Sequence, residues 1–428
     1  MKRILLMLAF SVGGAIAQGT ATPVQPGTAA RGVGGGAAAS RPLPDPVPER
    51  INVKEFGAVG DATTDNTSAF DAAVSRANAL RAAGTRACIY IPSGNFKIHA
   101  AFTQFAPGNP GCIVGEGPHQ SKIILDAGFS GTLFSWTEAW YQSNYGPDTG
   151  PSTDDRVGPS VRGIGVQGDK RSPHIQNAFV FYDRNDGVVM EDVAVYFLHG
   201  RAWHAGVTRT MPLAFMRESE FRNLTFWQSG TESLPVMEID SSGTGDSSNQ
   251  LVFYNVNILR SVGKGLFLHN SANTSKGTGN IRFFGLRTES GGDDLFTIGS
   301  ESDRGKAVNN ISVYGFIGNA SAKGFHAIRI TAPNKSLAPY NILIDGTITS
   351  GAGGGINIDA ARSIQISMRQ ISTQQTHVTV GPSTKVGNNI NFNAHGNERN
   401  LTYRIDPSSL KNFLTPAAPR VGDPSVAN

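Results

Sequence analysis

Short apolar runs recur every 30 residues, beginning at Phe221, Leu251, Ile281 and Ile311. About 15 residues after each start comes a second run, at 236–239, 266–268, 295–298 and 327–330. The runs alternate apolar and polar positions or are β-branched, with Gly and Asn between them, which predicts strands. A fixed period of this length marks stacked structural repeats. One repeat cannot bury its apolar face alone, whereas stacking makes a continuous core. Leucine-rich repeats are set aside because no L-x-x-L-x-L pattern recurs, and helical repeats because the apolar spacing is 2, not 3.6. The pattern predicts an all-β chain, a single-stranded parallel β-helix. Further coils are expected at 161–166, 178–182 and 188–197, and later at 342–344, 356–358, 364–366 and 390–392.

Residues 65–83 follow a different period. Ala69, Phe70, Ala73, Val74, Ala77 and Leu80 make one apolar stripe, which predicts a helix. Thr64 or Asp65 would cap its start and Gly84 would end it. Such a helix would cover the open end of the first coil. The chain ends carry no core pattern. Residues 1–17 have a basic start (Lys2, Arg3), an apolar run and Ala15-Ile16-Ala17, which predicts a signal peptide cleaved after Ala17. Residues 18–50, rich in Ala, Gly and Pro, are expected to form a disordered linker, and 407–428 a loose tail. The β-helix domain is therefore expected over 51–406, in a protein exported to the periplasm or the medium.

Composition fits this outline. Only 16% of the 428 residues are charged, 51 are Gly and the formal net charge is +4. No basic cluster points to nucleic acid, and no membrane span is expected after signal cleavage. The two cysteines, Cys88 and Cys112, each precede an isoleucine in a predicted strand. They form either a disulfide between neighbouring coils or two buried thiols. No metal-binding cysteine pattern is present.

The stretch 52–61 (NVKEFGAVGD), then Thr64-Asp65-Asn66-Thr67, the helix and 89–98 (IYIPSGNFKI) resembles the opening of pectate-lyase-superfamily proteins. That group includes rhamnogalacturonase- and polygalacturonase-like hydrolases, lyases, mannuronan epimerases and phage tailspikes. The resemblance implies a right-handed β-helix and a polysaccharide substrate.

In a parallel β-helix a functional site is a column across coils about 4.8 Å apart. Aligning the second runs on Met237/Ile239, Leu266/Leu268, Phe296/Ile298, Ile328/Ile330 and Ile356/Ile358 gives three polar columns. They read Pro235, Lys264, Asp294, His326, Gly354; Glu238, Phe267, Thr297, Arg329, Asn357; and Asp240, His269, Gly299, Thr331, Asp359. Gly292-Asp293-Asp294 resembles the G-D-D strand of polygalacturonases, and His326 the histidine of their G-H-G strand. Where that family carries a further aspartate, this chain has Lys264.

Asp293, Asp294, His326 and Lys264 are therefore the candidate catalytic residues. Arg329, Glu238, His269, Asp240, Trp203 and Trp140 are candidate substrate contacts, Arg329 for a sugar carboxylate. A hydrolase would use two carboxyl groups and no cofactor. A lyase would use a base and cations, with Asp293 and Asp294 able to hold Ca²⁺. The expected function is cleavage of an acidic, uronate-containing glycan by hydrolysis or elimination. The alternative is a non-catalytic glycan-binding or structural β-helix. A second, looser cluster is His199, Arg201, Trp203, His204 and Arg209, at one edge of the expected groove.

Overall fold

The computed structural model describes residues 49–137, 158–209, 214–243, 248–271, 277–300, 305–319, 321–349, 351–373, 375, 378–381 and 403–405. The signal peptide, the linker up to residue 48, the tail, the coil at 390–392 and Trp140 lie outside the described residues. Among the described residues the strands form a right-handed parallel β-helix with two sheets, one of fifteen strands and one of ten.

From Phe215 to Val380 the strands alternate between the two sheets, whereas the first coils place two strands each in the wide one. Met237–Ile239 lies in the narrow sheet, Asn249–Leu259 in the wide sheet, and Leu266–Leu268 returns to the narrow one. The period-30 segments pair in the expected order. Phe221 faces Phe253, Phe253 faces Phe283 and Phe283 faces Val313. The wide-sheet strands are longer than the apolar runs suggested, because a left-handed residue bends each one without breaking its pairing. Asn223 (φ 53°) and Asn255 (φ 53°) take that position; asparagine tolerates it better than most residues. Asn255 also donates its side-chain amide to Asn223 at 3.1 Å, so the bend is stacked from coil to coil.

The interior is a column of apolar side chains. Phe221, Phe253 and Phe283 stack at 4.5 Å between successive ring centroids, with planes within 12°. The helix spans Thr67–Ala82 and buries the expected stripe. Its start is capped from Asp65, whose carboxylate accepts the Thr67 N–H at 3.0 Å, while Asn66 turns away to accept the Val59 N–H. The chain leaves the helix through Gly84 (φ 80°), with Thr85 N–H donating to Leu80 O at 2.9 Å. Cys88 and Cys112 face each other on adjacent strands, with Cα atoms 4.5 Å apart, and form a disulfide.

Candidate functional site

The narrow sheet is built from strands as short as three residues, so on these only the central side chain points out. Its register matches the column alignment: Met237, Leu266, Phe296, Ile328 and Ile356 pair in succession, and Trp203 pairs with Met237 one coil earlier. The outward column therefore reads His204, Glu238, Phe267, Thr297, Arg329 and Asn357. Two polar clusters form along it.

The first cluster centres on Glu238. One carboxylate oxygen receives His269 Nε2 at 2.9 Å; the other meets His204 Nε2 at 3.3 Å and the Arg201 guanidinium. Burial works against the Glu238 carboxylate, but the His204 ring, the hydrogen bond from His269 and Arg201 overcome it and bring its pKa down to about 2. Burial likewise drives His204 down to about 3, keeping that imidazole neutral. The His269 ring lies flat on Phe267, with centroids 3.9 Å apart. Asp240 is buried and its carboxyl is pushed up by that burial, although Ser271 N–H donates to it at 2.7 Å.

The second cluster centres on Asp294, whose side chain is 1% exposed. Its Oδ1 accepts the His326 backbone N–H at 2.7 Å and lies 3.2 Å from the His326 ring Nδ1. Its Oδ2 lies 3.4 Å from an Arg329 nitrogen, and Arg329 Nε reaches Asp359 at 3.2 Å. Burial opposes ionisation of Asp294, yet the hydrogen bonds from His326 and the Arg329 charge outweigh it and hold the carboxyl below its ordinary value. Asp293 points elsewhere: its carboxylate lies 3.5 Å from Lys264 Nζ.

The structure brings the column residues to one face and gives several of them surroundings that their spacing did not suggest. Asp293 and Asp294 take different partners: Asp294 faces His326 and Arg329, and Asp293 faces Lys264. Among the described residues no group of three or more His, Cys, Asp or Glu is arranged to hold a metal ion. Trp203 is a correction: it is 0% exposed and packs edge-on to Phe221, so it cannot stack on a sugar. Trp136 is equally buried, against Phe181. The loose cluster also splits. Arg201 and His204 join Glu238, whereas His199 Nδ1 turns to Lys170 O and Arg209 lies over the Tyr182 ring. Extending the column alignment one coil back, to Trp203 opposite Met237, would have exposed both facts.

Fold and register define a right-handed parallel β-helix. Residues 50–153 match the family model described as rhamnogalacturonase A/epimerase, pectate lyase-like. Two curated relatives, mannuronan C5-epimerases AlgE1 and AlgE5 of Azotobacter vinelandii, are 31% and 30% identical over 105 residues. These alignments span 23% of this chain and only 7% and 9% of the relatives. Among solved structures, the A-module of Azotobacter vinelandii mannuronan C-5 epimerase AlgE4 is 15% identical, with a TM-score of 0.47 over 86% of this chain and 97% of that one. The enzymatically active domain of tailspike protein 2 from bacteriophage CBA120 is 10% identical, with a TM-score of 0.49 over 83% and 51%. At these identities the likeness says nothing about the reaction. No helix among the described residues is long and apolar enough to cross a membrane.

Proposed function

We propose that the chain is an exported enzyme acting on a uronate-containing polysaccharide, with His326 as the base that takes the proton beside the sugar carboxylate. The observation that carries this is the Asp294–His326 pair. A buried, ionised carboxylate on Nδ1 keeps the proton there and leaves the Nε2 lone pair for the substrate. The His326 side chain is 23% exposed, so that nitrogen has a route to solvent and substrate. When Nε2 removes the C5 proton, the bonding electrons pass into the carboxylate and form an enediolate. Arg329, set between Asp294 and Asp359, offers a planar fork to that developing charge. The enediolate then either expels the C4 oxygen, which is a lyase, or regains a proton on the other face, which is an epimerase. Lys264 adds positive charge on the same edge of the sheet.

This reading is preferred over hydrolysis because the Asp294 side chain is 1% exposed and Asp293 pairs with Lys264, so neither carboxyl is set against a glycosidic bond. The test is to incubate the full chain with mannuronan, polyguluronate and polygalacturonate in D₂O. Unsaturated uronate ends, or deuterium at C5 without chain cleavage, support it. New reducing ends with neither signal would assign a hydrolase. Retention of a polymer with no reaction at all would assign a glycan-binding protein.

A further inference from the structure

The wide sheet carries a second concavity, on a different sheet from the clusters around Glu238 and Asp294. It is a groove of about 620 Å³. Segment 115–119 makes one wall, and residues 162–163, 191–194, 196, 223 and 225 make the floor and the far side. The wall is built in, not merely draped over the sheet. A Cβ at Gly165 would sit 2.1 Å from Pro118 O, and one at Gly163 would sit 2.8 Å from Gly115 O. Gly117 N–H also donates to Gly163 O at 2.8 Å. Only glycine lets the wall lie this close to the strand beneath it.

The lining combines rings with carboxylates. His119 and Tyr196 sit with ring centroids 6.2 Å apart and tilted by 35°. Glu116, Glu191 and Asp192 outnumber the one guanidinium, Arg162, whose Nε is 3.9 Å from Glu191. Asp192 Oδ1 accepts the Asn223 amide at 2.9 Å, which fixes the carboxylate; a carboxylate has acceptor sites for further donors. Three carboxylates repel an acidic sugar and a nucleic acid alike. They suit neighbouring hydroxyl groups, each an O–H donor, while an aromatic ring suits the C–H face of a pyranose.

We propose that this groove is a second, non-catalytic binding site for a neutral, hydroxyl-rich oligosaccharide, held by Asp192 and Glu191 and packed against Tyr196. The exposed ladder Tyr254–Phe284–Tyr314 further along the same sheet is not the platform. Its rings are stacked on each other at 5.2 and 5.3 Å, so their faces are already used. The site is independent of the reaction at His326, and its test does not use activity.

The experiment is calorimetric titration of the full chain with cellohexaose, mannohexaose and hexagalacturonate. At least one neutral hexasaccharide binds. Tyr196→Ala weakens that binding at least about tenfold, equivalent to about 1.4 kcal/mol. Asp192→Asn weakens it as well and leaves the melting temperature unchanged, because asparagine already fills the equivalent bends at Asn223 and Asn255. His326→Ala binds as the wild type does. The proposal is overturned if neither neutral hexasaccharide binds, or if both groove variants bind as tightly as the wild type. It is equally overturned if only hexagalacturonate binds.

Discussion

Asp294 holds His326 twice, through its backbone N–H at 2.7 Å and its ring Nδ1 at 3.2 Å. The buried carboxylate thus sets both the position and the tautomer of a partly exposed imidazole. Replacing it with the isosteric amide removes the charge and can reverse the tautomer. Asp294→Asn is expected to lower kcat on the true substrate by on the order of 10²-fold or more, with little change in KM. The split between kcat and KM, with rates normalised to folded protein, separates this from a purely structural role: a positioning role lowers kcat in protein that stays folded, whereas loss of folded protein is removed by the normalisation.

Arg329 lies between Asp294 and Asp359, on the column that also holds Thr297 and Asn357. Lysine keeps the charge and loses the planar fork. Arg329→Lys should lower kcat as well as raise KM for an acidic polymer, because the fork meets both the sugar carboxylate and the charge that develops on it, and high salt should erase part of the KM difference. Equal kinetics for the lysine variant would remove Arg329 from substrate binding.

Acid should destabilise the fold in two steps. Glu238 has a folded pKa of about 2 against 4.5. A depressed carboxyl stabilises the fold above its unfolded value, and that stability is lost as pH falls towards the folded value. Asp294 acts in the same direction. His204 has a folded pKa of about 3 against 6.5, so below 6.5 the unfolded chain binds a proton that the fold refuses. The urea midpoint should therefore begin to fall below pH 6.5, before Glu238 contributes. His204→Gln should flatten the fall between 6.5 and 4.5. A wild-type midpoint that stays level across that interval would contradict the assignment of a neutral His204.

The disulfide closes a short loop near the helical end, with a sequence separation of 24. In the chain-entropy model that is worth roughly 3.5 kcal/mol. Reduction, or Cys88→Ser with Cys112→Ser, should lower the melting temperature clearly. No change would mean that the bond adds nothing to the fold.

Much of the molecule was legible in the sequence because a solenoid repeats one solution. Aligning Met237, Leu266, Phe296, Ile328 and Ile356 placed Asp294, His326 and Arg329 on adjacent coils, and the register agrees. Burial was not legible. Spacing puts Glu238 and Asp294 on the outer face, where a carboxylate reads as exposed, yet neighbouring coils enclose both. Trp203 read as a surface ring because it stands among His199, Arg201 and His204. One position decides it, since alternate residues of a strand point in opposite directions. The wide-sheet strands exceed the apolar runs for a related reason: left-handed Asn223 and Asn255 bend the strand while its ladder continues.

The central claim is that His326 carries the proton at a uronate site. The most direct measurement is C5 exchange in D₂O on the polymer that the wild type turns over, comparing wild type with His326→Ala and His326→Gln. The account predicts that the wild type incorporates deuterium or forms unsaturated ends, and that both variants lose at least about 10²-fold in rate while remaining folded. Wild-type exchange rates in both variants, or cleavage by the wild type that yields reducing ends with neither deuterium nor unsaturation, would contradict it.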